Sequence, residues 1–308
     1  MNKKVAIFGA GNVGAETARR IAERELADVM LVDVLEGMPQ GKALDMLQSG
    51  SVERFNSKIT GTNDPADIEG SDIVVVTAGL ARKPGMSRDD LQILNAKIIR
   101  DIASNIKKYA PNSILIMVTN PVDVMTYLAY KVTGFDRKKV IGMAGILDSS
   151  RMATFISMEL GIPVKDVECM VLGGHGDLMV PVMSQAKAKH KPVSELLPKD
   201  KIKKIIERTQ KGGAEIVNLL KVGSAYYAPS SSAVAMVRAI IKDKKFTSPC
   251  SILPGGEYGL SDVCIGVPVT LGKSGVEKIE KIKLTEEEAS ALAKSANSVK
   301  EQIAKLSI

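Results

Sequence analysis

The sequence predicts an α/β fold: a doubly wound parallel sheet over residues 1–144, followed by a C-terminal mixed α+β domain over residues 145–308. Three observations carry this reading. Short apolar runs alternate with segments whose apolar residues recur at helical spacing. The first run leads directly into a glycine-rich turn that opens a helix. At 308 residues, the chain is about twice the usual size of one domain.

Residues 4–8, 29–34, 72–77, 113–118 and 140–143 are rich in Val, Ile, Leu and Met and lack the polar alternation of a half-exposed strand. Strands covered on both faces by crossover helices read this way. Between them, residues 14–26, 39–49, 89–109 and 122–131 have helical periodicity. Repeated strand–helix order of this kind makes a parallel sheet with helices on both faces. After Ala144 the pattern loosens. Residues 149–160 form a helix ended by Gly161 and Pro163, and 199–220 and 233–242 are further helices. Strand candidates rich in Gly and Pro follow at 250–253, 263–269 and 275–282. The last helix has a marked start, because Thr285 as N-cap and Glu288 three residues on make a capping box. Its residues Leu292, Ala296, Val299, Ile303 and Leu306 fall on one stripe.

Composition narrows the class. Apolar residues make up 45% and charged residues 25% of the chain, a globular balance that excludes a disordered or fibrous protein. Aromatics are only 4%, with no Trp, so the core has to come from aliphatic residues and Met. No apolar run approaches the roughly 18–20 residues that cross a bilayer, so no membrane association is expected. The opening apolar stretch breaks at Gly9, too early for a secretory core, and reads as a mature N-terminus. Cys169, Cys250 and Cys264 are odd in number, far apart and in no metal-ligand spacing. A reducing cytoplasm is therefore expected, with neither a disulfide framework nor a metal site. The net charge of +7 comes from basic residues mixed with acids along the chain. The densest cluster, 199–208, carries Ile202, Ile205 and Ile206 at helical spacing and reads as a solvated helix face. Without an aromatic-studded basic patch, nucleic acid is not an expected partner.

Chemistry enters with Gly9-Ala10-Gly11-Asn12-Val13-Gly14. In a G-x-G-x-x-G turn the first glycine permits the bend, the second lets a pyrophosphate approach the backbone, and the third allows close helix–strand packing. The amides at the helix N-terminus and its dipole then favour the phosphate anion. Taken alone, such a turn is about as often structural as nucleotide-binding. Asp33 shifts the balance, since it ends the second strand nineteen residues after Gly14. A carboxylate there accepts hydrogen bonds from ribose hydroxyls and repels a 2′-phosphate, which points to NAD over NADP.

Two histidines are available as acid–base groups. His190 sits among lysines and reads as surface, whereas His175 lies between Gly174 and Gly176 with its imidazole accessible. Arg82 and Arg88 occupy the loop after the strand ending at Thr77, the carboxyl-end position where such sheets bind ligands. Pro84-Gly85 marks a turn in that loop, which suits a segment that can swing. Arg151 lies three residues after Asp148, on the same helix face, where a local ion pair is the plainer alternative.

The chain resembles the lactate/malate dehydrogenases, and within them the lactate-dehydrogenase-like malate dehydrogenases. The resemblance rests on GAGNVG at 9–14, VTAG at 76–79, RKPGMSR at 82–88, VTNPVD at 118–123, LDSSR at 147–151 and GGHGD at 173–177, and it covers essentially the whole chain. It implies a Rossmann domain ahead of a substrate and catalytic domain, with NAD as cofactor. It also implies that His175 exchanges the proton with substrate oxygen and that Asp148 holds and charges its imidazole. Arg151 would grip the substrate's C1 carboxylate with two donors, and Arg88 would polarise the carbonyl. Asn120 would contact substrate and cofactor, while Asn95, Val118 and Thr119 would line the cofactor beside the Gly9–Gly14 turn and Asp33. A homodimer or homotetramer is implied as well.

Arg82 bears on the substrate. Lactate-specific members of the family typically carry Gln at the matching position, whereas an arginine there resembles the malate enzymes. Oxaloacetate carries a second carboxylate where pyruvate has a methyl group, and burying that anion without a cation costs several kcal/mol. Ala225 fits the same reading, because lactate enzymes tend to carry a larger residue there. Malate and oxaloacetate are the expected substrates, with lactate or another 2-hydroxy acid as the alternative. A non-catalytic protein of this fold that senses NAD or binds nucleic acid is the remoter one.

Overall fold

The structure is a computed structural model that describes residues 3–80 and 88–306, with the side chain of Arg88 outside the description. The first half of the chain runs β1 (Lys4–Phe8), α1 (Asn12–Glu23), β2 (Asp28–Val32), α2 (Met38–Glu53), β3 (Ile59–Thr62), β4 (Ile73–Val76), α3 (Arg88–Tyr109), β5 (Ile114–Met117), α4 (Val122–Thr133) and β6 (Val140–Gly142). These six strands pair in parallel in the order β3-β2-β1-β4-β5-β6. The middle strands β4 and β5 are buried at every residue, as expected where helices cover both faces.

The second half begins with α5 (Gly145–Leu160). Short strands β7 (Val167–Glu168), β8 (Val171–Leu172), β9 (Val180–Pro181), β10 (Lys187–Ala188) and β11 (Lys191–Pro192) follow and form two small sheets. Then come α6 (Val193–Leu196), α7 (Lys199–Leu220), α8 (Tyr227–Ile241), β12 (Phe246–Ile252), β13 (Ile265–Gly272), β14 (Gly275–Ile279) and α9 (Glu286–Ala304). Strands β12 to β14 are antiparallel and join the edge of β6 through the pair Ser251–Gly142. The result is one nine-stranded sheet to which both halves of the chain contribute.

The parallel-sheet reading is upheld, with differences that have local causes. The periodicity did not reveal β3, because Ile59-Thr60-Gly61-Thr62 holds a single large apolar residue. It forms because β2 offers it a four-residue parallel ladder, and because Gly61 lets α2 close over it; a Cβ there would overlap the backbone of Pro39. Helix α5 starts at Gly145 and not at residue 149, which places Asp148 in its first turn. Helix α8 starts six residues before the expected 233, with Pro229 accommodated in its first turn.

The main core lies along the large sheet, and a smaller apolar cluster around Met152, Ile156, Met179 and Ile205 ties α5 to α7. Helix α9 returns over this assembly with Leu292, Ala296, Val299 and Ile303 buried, as its stripe predicts, whereas Leu306, the fifth residue of that stripe, lies past the helix end and is half-buried. Its capping box is present: Thr285 Oγ1 accepts from the Glu288 amide at 3.1 Å, and Glu288 Oε2 accepts from the Thr285 amide at 3.0 Å. The same carboxylate also accepts from Ser184 Oγ at 2.7 Å. Thr285→Ala should therefore lower unfolding stability by about 1 kcal/mol. Chemical denaturation should show this as a lower midpoint at unchanged slope, with Thr285→Ser close to the parent.

Candidate active site

The turn after β1 is built for close approach. Gly9 adopts φ +99°, and a Cβ there would lie 2.6 Å from the Ala78 amide nitrogen. A Cβ on Gly14 would overlap the Gly9 carbonyl oxygen, so α1 can pack this near β1 only with glycine at that position. Gly11 is different: nothing stands within 4 Å of where its Cβ would be. The space beside Gly11 opens at the start of α1, which no side chain caps. Uncapped amides and a helix dipole meeting at open space suit a phosphate.

Asp33 follows β2 directly. Its Oδ2 accepts from the Ala10 amide at 2.7 Å and its Oδ1 from the Leu35 amide at 3.0 Å. The turn is thereby fastened to the carboxylate, and each oxygen keeps acceptor capacity for a ribose hydroxyl. Lys42 of α2 donates from Nζ to the Ala10 carbonyl at 2.6 Å, a cation near the turn that the sequence reading did not single out. Asn12 is exposed, Val13 is half-buried against the core and Ala10 is buried. These residues fit a bound NAD: a bare glycine face and free helix amides for pyrophosphate, and an anchored carboxylate for ribose.

The strand ends of β4 and β5 form the neighbouring wall. Asn95 of α3 is buried, and its Oδ1 accepts from the Leu80 amide at 2.8 Å. Its Nδ2 donates to the Asn120 carbonyl at 2.8 Å and to the Leu80 carbonyl at 3.3 Å. Thr119 Oγ1 donates to the Ala78 carbonyl at 2.6 Å. Asn95 and Thr119 thus brace the segment after β5 against the segment after β4. Val118 and Thr119 are buried and Asn120 is exposed.

In the second half of the chain, Asp148 is 1% exposed and has both carboxylate oxygens engaged. Oδ2 lies 2.7 Å from His175 Nδ1, and Oδ1 accepts from Arg151 Nη1 at 3.1 Å. The His175 side chain is 14% exposed. Burial disfavours its charged form, but the charge and hydrogen bond of Asp148 outweigh this, and Asp123 adds to them. Despite the opposing Arg151, the pKa therefore lies above the usual histidine value. The imidazole is thus oriented by one nitrogen and held nearer its protonated form, which is what a proton carrier to a substrate oxygen requires. His190 is 92% exposed on its side chain and lies apart from this group.

Arg151 packs against Gly212 and Gly213 of α7, where a Cβ would come 3.1 Å from its Cδ and 3.5 Å from its Nη2 respectively. Adjacent glycines inside a helix are costly, by about 1 kcal/mol each relative to alanine, and here they leave room for a guanidinium. The sequence reading missed them, as it missed Asp123. That buried acid lies in an otherwise largely apolar helix, three residues after Asn120, and this placement was the available signal. Arg82 lies outside the described residues, as does the side chain of Arg88, which opens α3.

Residues 3–142 match the lactate/malate dehydrogenase NAD binding domain, and residues 146–307 match the lactate/malate dehydrogenase alpha/beta C-terminal domain. A malate dehydrogenase of Methanosarcina mazei is 52% identical over 305 residues, covering 99% of both chains. Among solved structures, the malate dehydrogenase of Cryptosporidium parvum superposes with a TM-score of 0.97 at 41% identity, covering 99% of each chain. The lactate dehydrogenase of the same organism, complexed with lactic acid and β-nicotinamide adenine dinucleotide, gives 0.96 at 42% identity, covering 99% of this chain and 98% of that one.

Asp33→Ser should narrow the preference for NAD over NADP by roughly tenfold or more, because like charges brought together cost several kcal/mol. Comparing kcat/KM for the two cofactors checks this, and an unchanged ratio would place the discrimination elsewhere.

Proposed function

This chain belongs to the lactate/malate dehydrogenase family, and from that premise we infer that it catalyses the reversible, NAD-dependent interconversion of L-malate and oxaloacetate. The observation that carries the chemistry is the buried Asp148 carboxylate shared between His175 and Arg151. One of these partners suits a proton and the other a carboxylate, which are the two needs of a 2-hydroxy acid.

The proposed roles follow from position. Gly9, Ala10, Gly11, Asn12, Val13 and Gly14 cradle the pyrophosphate, and Asp33 takes the ribose. Asn95, Val118 and Thr119 would line the bound cofactor, and Asn120 would contact both cofactor and substrate. NAD, when bound, supplies the hydride acceptor for malate and, when reduced, the donor for oxaloacetate. His175 takes the proton of the substrate hydroxyl in oxidation and returns it to the carbonyl oxygen in reduction, with Asp148 compensating the imidazolium. Arg151 binds the C1 carboxylate through donors not spent on Asp148. Arg88 stabilises negative charge developing on the carbonyl oxygen, and Arg82 neutralises the distal carboxylate.

Malate is preferred over lactate on the strength of Arg82 and of the relatives' activity. The fold does not separate the two, since a lactate dehydrogenase superposes as well as a malate dehydrogenase. We further propose a homodimer or homotetramer, supported by the exposed Leu44, Leu47 and Val52 of α2 and Leu219 and Leu220 of α7. The three free thiols accord with a cytoplasmic setting. Among the described residues, no helix is long and apolar enough to cross a membrane.

NADH oxidation should be far faster with oxaloacetate than with pyruvate. Arg82→Gln should lower kcat/KM for oxaloacetate by about two orders of magnitude relative to that for pyruvate, the rate equivalent of a buried charge left without its partner. Equal losses on both substrates would remove Arg82 from the specificity argument. The two directions should also respond oppositely to pH. Reduction needs the imidazolium, so it persists above the ordinary histidine range and falls as pH rises through the elevated pKa of His175. Malate oxidation needs the neutral ring and rises over the same interval. Parallel pH profiles in both directions would exclude His175 as the proton carrier.

A further inference from the structure

His175 stands in a stretch with little stiffness of its own, since Gly173, Gly174 and Gly176 surround it. Besides the local bond from the Met179 amide to the Gly176 carbonyl, at 3.1 Å, three contacts from three distant elements hold the main chain there. Gly173 exchanges two backbone hydrogen bonds with Gly266 of β13, at 2.9 and 3.1 Å. The Gly174 amide donates to Ser295 Oγ of α9 at 2.9 Å. The His175 amide donates to Asp123 Oδ2 of α4 at 2.7 Å. Of the three, only the last comes from the first half of the chain, and only the last is to a carboxylate.

Asp123 is itself 4% exposed, and its Oδ1 accepts from Ser251 Oγ of β12 at 2.6 Å. Gly142 of β6 closes the pocket, since a Cβ there would meet Thr126 Oγ1 at 2.6 Å and Ser251 Cβ at 2.8 Å. A buried carboxylate in an apolar helix is costly unless its oxygens are satisfied, and here both are committed to donors. Asp123 lies three residues after Asn120, so the first turn of α4 connects the Asn120 segment to the main chain of His175.

We propose that Asp123 is a positioning residue for this reaction, whose carboxylate fixes the main chain at His175 and so holds the imidazole in register with Asp148. Its charge is, after that of Asp148, a second anion acting on the imidazole. The titratable and charged groups around this point are Asp148 and Arg151 of α5, Asp123 of α4, and Cys264 from the segment before β13. Burial holds the Cys264 thiol well above its ordinary range, so it stays neutral. Burial, with the Asp148 charge adding to it, leaves the pKa of Asp123 above the ordinary carboxylate value although Ser251, the His175 amide and the imidazole charge pull it down. Removing the Asp123 charge without removing its shape therefore lowers the tendency of His175 to hold a proton. The inference rests on the reading of His175 as proton carrier.

The chain has only two histidines, which makes the test direct. In the full chain with isotope-labelled histidine, the imidazole resonances of His175 are titrated by NMR, and exposed His190 serves as internal reference. In Asp123→Asn, His175 should titrate at lower pH while His190 stays in place, and the pH limit of oxaloacetate reduction should move down with it. Its kcat should fall by roughly ten- to a hundredfold, the range for an ångström-scale misplacement of a catalytic group, with NADH affinity retained. Ser251→Ala should act in the same direction, more weakly. A folded, NADH-binding Asp123→Asn protein with an unmoved His175 titration and an unmoved pH profile overturns the proposal. If that variant does not fold, an unmoved titration in Ser251→Ala overturns it instead. Should the parent chain reduce neither oxaloacetate nor pyruvate, the functional reading falls, and the His175 titration still decides whether Asp123 governs the imidazole.

Discussion

A carboxylate removed from water has to be paired, and the pairing of Asp148 organises the second half of this protein. Its two oxygens face different partners, His175 on one side and Arg151 on the other, and almost none of it reaches solvent. A buried acid with one partner missing would be strongly destabilising, so the loop of His175 and the helix bearing Arg151 are obliged to converge. The acid also lies in the first turn of α5, where the helix dipole favours negative charge. The glycine pair of α7 is the corresponding accommodation, since it gives the guanidinium a place to lie.

The large sheet makes this convergence useful. Strand order reverses between β1 and β4, and the segments following β1, β2, β4 and β5 all leave from the carboxyl ends of parallel strands. A crevice at such a switch point is where open α/β sheets take ligands. Strand β12 then extends the same sheet from β6, so the second half is continuous with the cofactor scaffold at the hydrogen-bond level. Ser251, the residue through which β12 pairs with Gly142, also reaches Asp123, and Asp123 reaches His175. Structural and chemical connections therefore pass through the same few residues.

Much of the site was legible in the sequence because its signals are local. A strand, three spaced glycines, a helix and an acid at the next strand end form one continuous pattern, and β1, α1 and β2 are found where it places them, with Asp33 directly after β2. Asp148 and Arg151 are one helical turn apart, and the capping box of α9 is a four-residue signal. Other parts carry no local signal. Strand β3 is stabilised by its neighbour and not by its own residues, and Gly212-Gly213 looks like a weak point in a helix until the side chain of Arg151 is seen beside it.

The sequence by itself determined most of the strand–helix order of the first half, the glycine turn, the anionic residue after β2 and the presence of one histidine among glycines, because each depends on neighbours along the chain. Only the tertiary structure decided that His175 and Asp148, twenty-seven residues apart, meet at 2.7 Å, and that Asp123 supports the histidine from the opposite half. The physical reason is that a buried charge selects its partners by distance and desolvation, and those are properties of the packed chain that no run of residues contains.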